Sequence, residues 1–107
     1  MRYAIVLAPS AVRELRELRA HLRARVRDAI ERFLQHEPTK LSKRRIKRLR
    51  GLSRPQYRLR VGEVRVFYDV TGATVEILAI ISKAAAQAWL DREGTPAEES
   101  SSGEGEG

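Results

Sequence analysis

The sequence contains no cysteine, only two histidines, and no apolar run long enough to cross a bilayer. The lack of cysteine excludes disulfides, zinc–thiolate sites and thiol nucleophiles, and it argues against a disulfide-stabilised secreted domain. His21 and His36 are too few for a metal site, so no metal or other cofactor is expected. A membrane helix needs about 20 apolar residues, and the run Ala4–Ala8 is too short for a signal-peptide core. We therefore expect a soluble cytoplasmic protein with no membrane partner.

Charge is distributed unevenly along a chain of 107 residues, which has room for one domain. Residues 93–107 hold five Glu and no Lys or Arg, so residues 1–92 hold 21 basic and nine acidic residues, a net charge of +12. A compact domain of that charge repels itself and favours a polyanionic or acidic partner. We assign the domain to residues 1–92, and the Gly/Ser/Glu composition of 93–107 predicts a disordered acidic tail.

The hydrophobic pattern predicts an α+β fold. An apolar, β-rich run predicts a first strand over Tyr3–Leu7, which Pro9 ends. Apolar residues at three- and four-residue spacing then predict two helices, roughly over 10–20 and 22–36, whose interleaved arginines and acids indicate a solvated helix face. Three more strands and a short terminal helix follow: Tyr57–Val61, Val64–Val70, Val75–Ile81 and Lys83–Arg92.

A tight turn joins two of these strands. Gly62-Glu63 lies between two alternating runs and predicts a β-hairpin with a type II′ turn. The turn fixes the predicted register, which pairs Val61 with Val64, Arg60 with Arg65, Leu59 with Val66, Arg58 with Phe67, and Tyr57 with Tyr68. The two-residue period then divides the side chains between two faces. One face is apolar and meets the helices, and the other carries Arg58, Arg60, Arg65 and Phe67.

The arginine face has two interpretations. Arginines directly opposite each other destabilise a hairpin by a few tenths of a kcal/mol to ~1 kcal/mol unless something neutralises them. Arginine does not lose its proton near neutral pH, and its planar fork matches a phosphate. The face is either an open surface kept soluble by cationic side chains or a phosphate-binding surface. We expect Arg58, Arg60 and Arg65 to project together from an uncovered sheet.

Basic residues are densest just before this hairpin. The run 43–50 is either a solvated loop or part of the same polyanion site, and it supplies the candidate RNA-binding residues Lys43, Arg44, Arg45, Lys47, Arg48 and Arg50. Lys83 follows the last strand directly, which places an ammonium group at the end of the sheet. No general-base motif is present. The remaining candidates for proton transfer are Glu63 in the hairpin turn and the tyrosines, but Tyr57 and Tyr68 fall on the core face, and Trp89 is better explained by packing.

The order of these segments resembles the RelE/ParE superfamily of bacterial toxins from type II toxin–antitoxin systems. The resemblance covers residues 2–90 and is most specific over Lys47–Val70, which includes "KRLRGL" and "YRLRVGEVRVFYDV". It implies a RelE-like α+β fold, with a mostly antiparallel four-stranded sheet packed on an N-terminal helical hairpin and a short C-terminal helix. It also implies a cognate acidic antitoxin as partner.

The resemblance implies a toxic activity as well. RelE-like members cut mRNA on the ribosome and so inhibit translation, and Arg58, Arg60 and Arg65 match the basic residues used there against the scissile phosphate. ParE-like members instead inhibit DNA gyrase without catalysis, and a degenerate member would only bind antitoxin or nucleic acid. The C-terminal part departs from the ribonuclease pattern, because Lys83 stands where an arginine is usual and no matching Tyr or His follows.

Overall fold

A computed structural model describes residues 1–97, and its elements follow the predicted α+β order. β1 (Ala4–Leu7) leads into α1 (Pro9–Glu17) and α2 (Ala20–Ala29), which continues as a five-residue π-helix (Ile30–Leu34). The remaining elements are β2 (Ile46–Arg48), β3 (Leu52–Arg54), β4 (Tyr57–Val61), β5 (Val64–Thr71), β6 (Thr74–Ser82), α3 (Lys83–Glu93) and β7 (Thr95–Pro96). None of the helices in this part of the chain has the length and apolarity to span a membrane.

The two predicted N-terminal helices are confirmed, but the break between them lies at Leu18 and Arg19, earlier than the predicted position near residue 21. Leu18 and Arg19 are extended, with ψ of 148° and 151°, although neither is glycine or proline. Arg23 stabilises the break, because its Nη1 donates hydrogen bonds to the carbonyls of Arg16 (3.0 Å) and Leu18 (2.9 Å). Carbonyls at a helix C-terminus lack intrahelical partners, so this side chain replaces the usual capping residue.

The main sheet has the strand order β1-β6-β5-β4-β2, with β1 parallel to β6 and the other pairs antiparallel. The predicted hairpin register is confirmed at all five pairs, from Val61 opposite Val64 to Tyr57 opposite Tyr68. Gly62 has φ +58°, and no non-glycine residue among those described has positive φ, as a type II′ turn requires.

The sheet has one strand more than the four predicted. β2 forms within the basic run and pairs with β4 as an edge strand, which places Ile46 opposite Leu59. Ile46 is 3% exposed and is the apolar residue that holds the strand on the core. The pattern did not predict β2, because cationic residues surround its single buried position.

The prediction of a disordered tail from residue 93 is wrong for residues 93–97. Glu93 ends α3, and Thr95–Pro96 form β7, which pairs with β3 in a separate two-stranded sheet. The N–H of Ala97 then donates to the carbonyl of Gly51 at 3.0 Å. These residues are therefore part of the fold, and positions 98–107 of the predicted tail lie outside the described residues.

The core lies between one face of the sheet and the helices α1 and α2. Its largest buried side chain is Tyr68, whose hydroxyl donates to the carbonyl of Pro38 at 2.6 Å. Burial, followed by the nearby Tyr57, raises the pKa of Tyr68. The two rings stack with centroids 5.5 Å apart, so both tyrosines lie on the core face as predicted.

Replacing Tyr68 by Phe should destabilise the fold by about 1–2 kcal/mol, because the buried Pro38 carbonyl loses its hydrogen-bond donor. Urea unfolding followed by circular dichroism measures the change in the free energy of unfolding. The control is Tyr57→Phe, which removes the hydroxyl of a partly exposed ring and should change the free energy much less. Equal losses of unfolding free energy in the two variants would contradict the role of the Tyr68 hydrogen bond to Pro38.

Candidate functional site

The outer face of the sheet, turned away from α1 and α2, carries the candidate site. Arg58, Arg60 and Arg65 lie on this face, as the confirmed register requires. Lys47 of β2 lies directly opposite Arg58, and opposed residues of antiparallel strands share a face. We refer to Lys47, Arg58, Arg60 and Arg65 as the cationic cluster.

Arg65 is the most enclosed member of the cationic cluster, with 6% exposure. Its Nη1 donates to the carbonyl of Gly62 at 2.8 Å and to that of Val64 at 3.2 Å. These bonds hold the guanidinium against the turn and restrict its orientation. The expectation of an uncovered arginine face is therefore wrong for Arg65, although it holds for the exposed Arg60.

The cover over the outer face is provided by α3. β6 runs directly into this helix at Lys83, whose backbone N–H donates to the carbonyl of Glu63 at 2.7 Å. Farther along the helix, Trp89 stacks on Phe67, with centroids 5.1 Å apart and planes 7° apart. The prediction that Trp89 packs is thus confirmed, and the stack explains why Phe67 is only 1% exposed.

The electrostatics of the cationic cluster are unfavourable in the protein alone. Desolvation lowers the pKa of Arg58, and the guanidinium groups of Arg65 and Arg60 lower it further. Desolvation also lowers the pKa of Arg65, and Arg60 lowers it further, whereas the carboxylate of Glu63 raises it. Arginine remains charged at neutral pH, so the repulsion persists until an anion binds.

Arg58 has an unused hydrogen-bond donor. Its side chain is half-buried, and its Nε is buried without a hydrogen-bond partner. A buried polar group without a partner costs roughly 1–3 kcal/mol. The protein covers this Nε, so an oxyanion would bind the accessible part of the half-buried Arg58 guanidinium and there offset the repulsion.

The acids on the outer face do not neutralise the cationic cluster. Asp69 and Glu76 pair with Arg54, at 3.5 Å to its Nε and 3.4 Å to its Nη2 respectively. Asp69 also accepts a hydrogen bond from the backbone N–H of Gln56 at 2.7 Å. These carboxylates are therefore engaged at the opposite end of the hairpin from the Gly62 turn.

The structure divides the predicted RNA-binding run instead of gathering it on one surface. Lys47 joins the cationic cluster, whereas Arg48 lies over the Tyr57 ring at 5.3 Å and donates to the carbonyl of Gln56 at 2.8 Å. The guanidinium of Arg45 lies 4.2 Å from the centre of the Phe33 ring. The other three residues of the run are exposed and lie outside the strands: Lys43, Arg44 and Arg50.

Lys83 is exposed at the start of α3, and its backbone bond to Glu63 places it beside the hairpin turn. Its position at the end of the sheet agrees with the prediction. The sequence interpretation missed Arg25 and Arg32 of the second helix, which approach the same end of the hairpin and line a cleft with Arg60. Their seven-residue spacing, which places them on one helix face, was the available signal.

The arrangement can bind an oxyanion and stabilise negative charge, but it supplies no obvious proton-transfer group. Within residues 1–97, all three tyrosines pack on the core: Tyr3, Tyr57 and Tyr68. His21 belongs to α2, and His36 follows the π-helix. No group of three potential metal ligands comes together in the same part of the chain.

Comparison with known families assigns the chain to a class of proteins. A model described as the ParE toxin of type II toxin–antitoxin systems matches residues 5–86, which is more than half of the chain. The chain belongs to this RelE/ParE family and is a toxin of a type II toxin–antitoxin system. No functionally curated protein gives a significant match.

Solved structures of RelE-type complexes support the assignment. The RelB–RelE complex from Methanococcus jannaschii contains a chain that is 25% identical over 78% of this chain and 96% of that one, with a TM-score of 0.63. The RelE–RelB complex from Pyrococcus horikoshii gives 27% identity over 78% and 97%, with a TM-score of 0.59. A toxin–antitoxin complex from Mycobacterium tuberculosis gives 25% identity over 77% and 99%, also with a TM-score of 0.59.

Replacing Arg60 by Gln should raise the free energy of unfolding by a few tenths of a kcal/mol at low salt, because it removes cross-strand repulsion with Arg65. The gain should disappear in about 0.5 M NaCl, which screens exposed charges. Arg13→Gln is the control, since Arg13 attracts Glu14 and its removal should have the opposite sign. Destabilisation by Arg60→Gln at low salt would contradict an unneutralised cationic cluster.

Proposed function

We propose that this toxin is a RelE-like, ribosome-dependent mRNA endonuclease that inhibits translation. The observation that supports the proposal is the convergence of Arg58, Arg60 and Arg65 on one face, where none of the three forms an ion pair with a carboxylate of residues 1–97. Such an arrangement costs stability in the free protein. It becomes favourable when a phosphodiester occupies the face, because the planar guanidinium fork matches phosphate oxygens.

The proposed chemistry is attack by an RNA 2′-hydroxyl on the adjacent phosphorus. Negative charge grows on the phosphoryl oxygens as the new bond forms and the bond to the leaving 5′-oxygen breaks. Preorganised cations stabilise this growing charge most effectively in a partly desolvated site. In this proposal Arg65, held by its bonds to the turn, and the half-buried Arg58 bind the phosphoryl oxygens, while Arg60 and Lys83 add positive charge.

The candidate site provides little for the proton transfers that this reaction needs. General acid–base assistance contributes about 10²–10⁴-fold to rate, and the outer face within residues 1–97 has no Tyr or His to provide it. The proposal therefore includes a slow intrinsic activity that depends on groups supplied by the ribosome. This dependence agrees with a toxin that cuts mRNA only during translation.

The proposed partner in the resting cell is a cognate acidic antitoxin in the cytoplasm. The structural neighbours from Methanococcus jannaschii and Pyrococcus horikoshii are complexes of RelE with RelB. Residues 1–92 of this chain carry a net charge of +12. An acidic partner would associate quickly with such a surface, because complementary charge accelerates encounter.

Inhibition of DNA gyrase is the second candidate, and the lack of Tyr and His on the described outer face is the observation that favours it. A non-enzymatic inhibitor needs no proton-transfer group. The family model that matches the chain is also named for ParE. A degenerate member that only binds antitoxin or nucleic acid would have the same face but would not arrest growth.

Arg58→Ala should lower the rate of mRNA cleavage by about 10²–10³-fold, the usual effect of removing one transition-state donor. The measurement uses purified toxin with translating ribosomes and maps new 5′ ends on the message. Arg13→Ala, which removes an exposed arginine from α1, should leave the rate unchanged. Absence of cleavage by the unaltered toxin, or equal cleavage by Arg58→Ala, would reject the ribonuclease.

A supercoiling assay tests the second candidate with the same preparations. Inhibition of gyrase by the unaltered toxin, without cleavage of mRNA, would reject the ribonuclease proposal and support a ParE-like gyrase inhibitor. If neither activity is found and expression without antitoxin does not slow growth, the degenerate binding member is the correct interpretation.

A further inference from the structure

A second group of arginines surrounds a cleft at the edge of the sheet beside the hairpin turn. The cleft has a volume of about 210 Å³ and lies between the second helix and β4. Its cationic lining consists of Arg25, Arg32, Arg45 and Arg60. Three separate segments therefore bring four guanidinium-bearing residues to one concave site, which we call the arginine cleft.

Backbone and aromatic contacts hold the arginine cleft together. The N–H of Arg60 donates to the carbonyl of Arg45 at 2.8 Å, which makes β4 and the segment before β2 immediate neighbours there. The Phe33 ring lies 4.2 Å from the Arg45 guanidinium carbon and 5.5 Å from that of Arg32. These cation–π contacts orient both arginines without neutralising them.

Arg25 completes the cleft on the side of the turn. Its Nη2 lies 3.4 Å from the position that a Cβ on Gly62 would occupy. The helix thus reaches the same turn that positions the cationic cluster, and Arg60 belongs to both sites. Arg60 therefore links the cationic cluster of the outer face to the arginine cleft.

The acidic residues near the arginine cleft neutralise little of its positive charge. Asp28 is the single carboxylate in its lining, and it pairs with Arg32 at 3.6 Å. The two side chains of this pair are 67% and 63% exposed, and pairs so exposed contribute little. No ion pair within residues 1–97 involves Arg25, Arg45 or Arg60. An oxyanion is the ligand class that would relieve this repulsion.

We propose that the arginine cleft binds a backbone phosphate of the same RNA strand whose neighbouring phosphate lies on the cationic cluster. This inference rests on the proposed function. An RNA strand is favoured over an acidic peptide because Arg60 joins the two sites, and a strand with regularly spaced phosphates can occupy both at once. The cleft would thus fix the register of the RNA on the hairpin without taking part in the chemistry.

The double variant Arg25→Ala/Arg32→Ala tests the arginine cleft without replacing any residue of the cationic cluster. The probe is a single-stranded 2′-O-methyl RNA, which cannot be cleaved by attack of a 2′-hydroxyl, and binding is followed by fluorescence anisotropy. We expect about tenfold weaker binding at low salt, because charge-assisted hydrogen bonds to the phosphate are removed. The log–log salt slope should become less steep by about 0.7 for each phosphate that the variant no longer neutralises.

Arg13→Ala/Arg16→Ala is the matched control, because it removes the same charge from exposed positions on α1. It should weaken binding by about twofold at most when both double variants are compared at about 0.1 M salt, where exposed charges more than about 10 Å away are largely screened. Circular dichroism confirms that each variant is folded, which the exposure of Arg25 and Arg32 favours.

The variant Arg58→Ala separates failure of this inference from failure of the proposed function. Reduced RNA affinity in both Arg58→Ala and the Arg25/Arg32 variant supports the cleft. A reduction in Arg58→Ala alone, with the Arg25/Arg32 variant equal to its control, overturns the cleft and leaves the proposed function standing. If neither change weakens RNA binding, or the unaltered toxin binds no free RNA, the cleft inference is overturned, and the cleavage assay with translating ribosomes decides the proposed function separately. If the Arg25/Arg32 variant binds poly-glutamate more weakly but RNA as before, the cleft binds acidic protein and the inference is overturned.

Discussion

The site depends on one constraint, the fixed register of the β4–β5 hairpin around Gly62. The glycine adopts φ +58° without steric cost, so Arg60 and Arg65 are held directly opposite each other. Cross-strand repulsion between them amounts to a few tenths of a kcal/mol to ~1 kcal/mol. Burying Leu59 and Val66 on the other face contributes about 1.5–3 kcal/mol each. The core therefore outweighs the repulsion, and a shift by one residue would expose its apolar side chains.

The C-terminal helix changes the electrostatic environment that this register creates. The Phe67–Trp89 stack keeps α3 on the outer face, although no residue of this helix is buried. Charges in a partly covered site interact more strongly than they do in water. On an uncovered sheet, water would solvate the cations of the cluster and weaken their interaction with an anion. The partial cover instead maintains the desolvation that lowers the pKa of Arg58 and Arg65 and strengthens their interaction with a bound anion.

Local rules account for the parts of the fold that the sequence predicted correctly. A two-residue turn and a period of two determine the hairpin register, and three- and four-residue spacing marks the helices. β2, β3 and β7 were missed because each has only two or three residues and depends on a partner distant in the chain. A break between the helices was predicted near residue 21, but it lies at Leu18 and Arg19, because its cause, capping by the Arg23 side chain, has no signature in the hydrophobic pattern.

The site was predicted less completely than the fold, for a geometric reason. The alternation of side chains in a regular strand assigns each residue to a face of the sheet. It therefore located Arg58, Arg60 and Arg65 on the outer face, but it did not predict how deeply each is buried. Arg45 immediately precedes β2, and there the chain turns its guanidinium toward Phe33 on the helical side. The basic run 43–50 was consequently predicted to form one surface, although the fold distributes its residues over several. The charges that matter are those that irregular segments bring to the hairpin turn, and composition alone does not identify them.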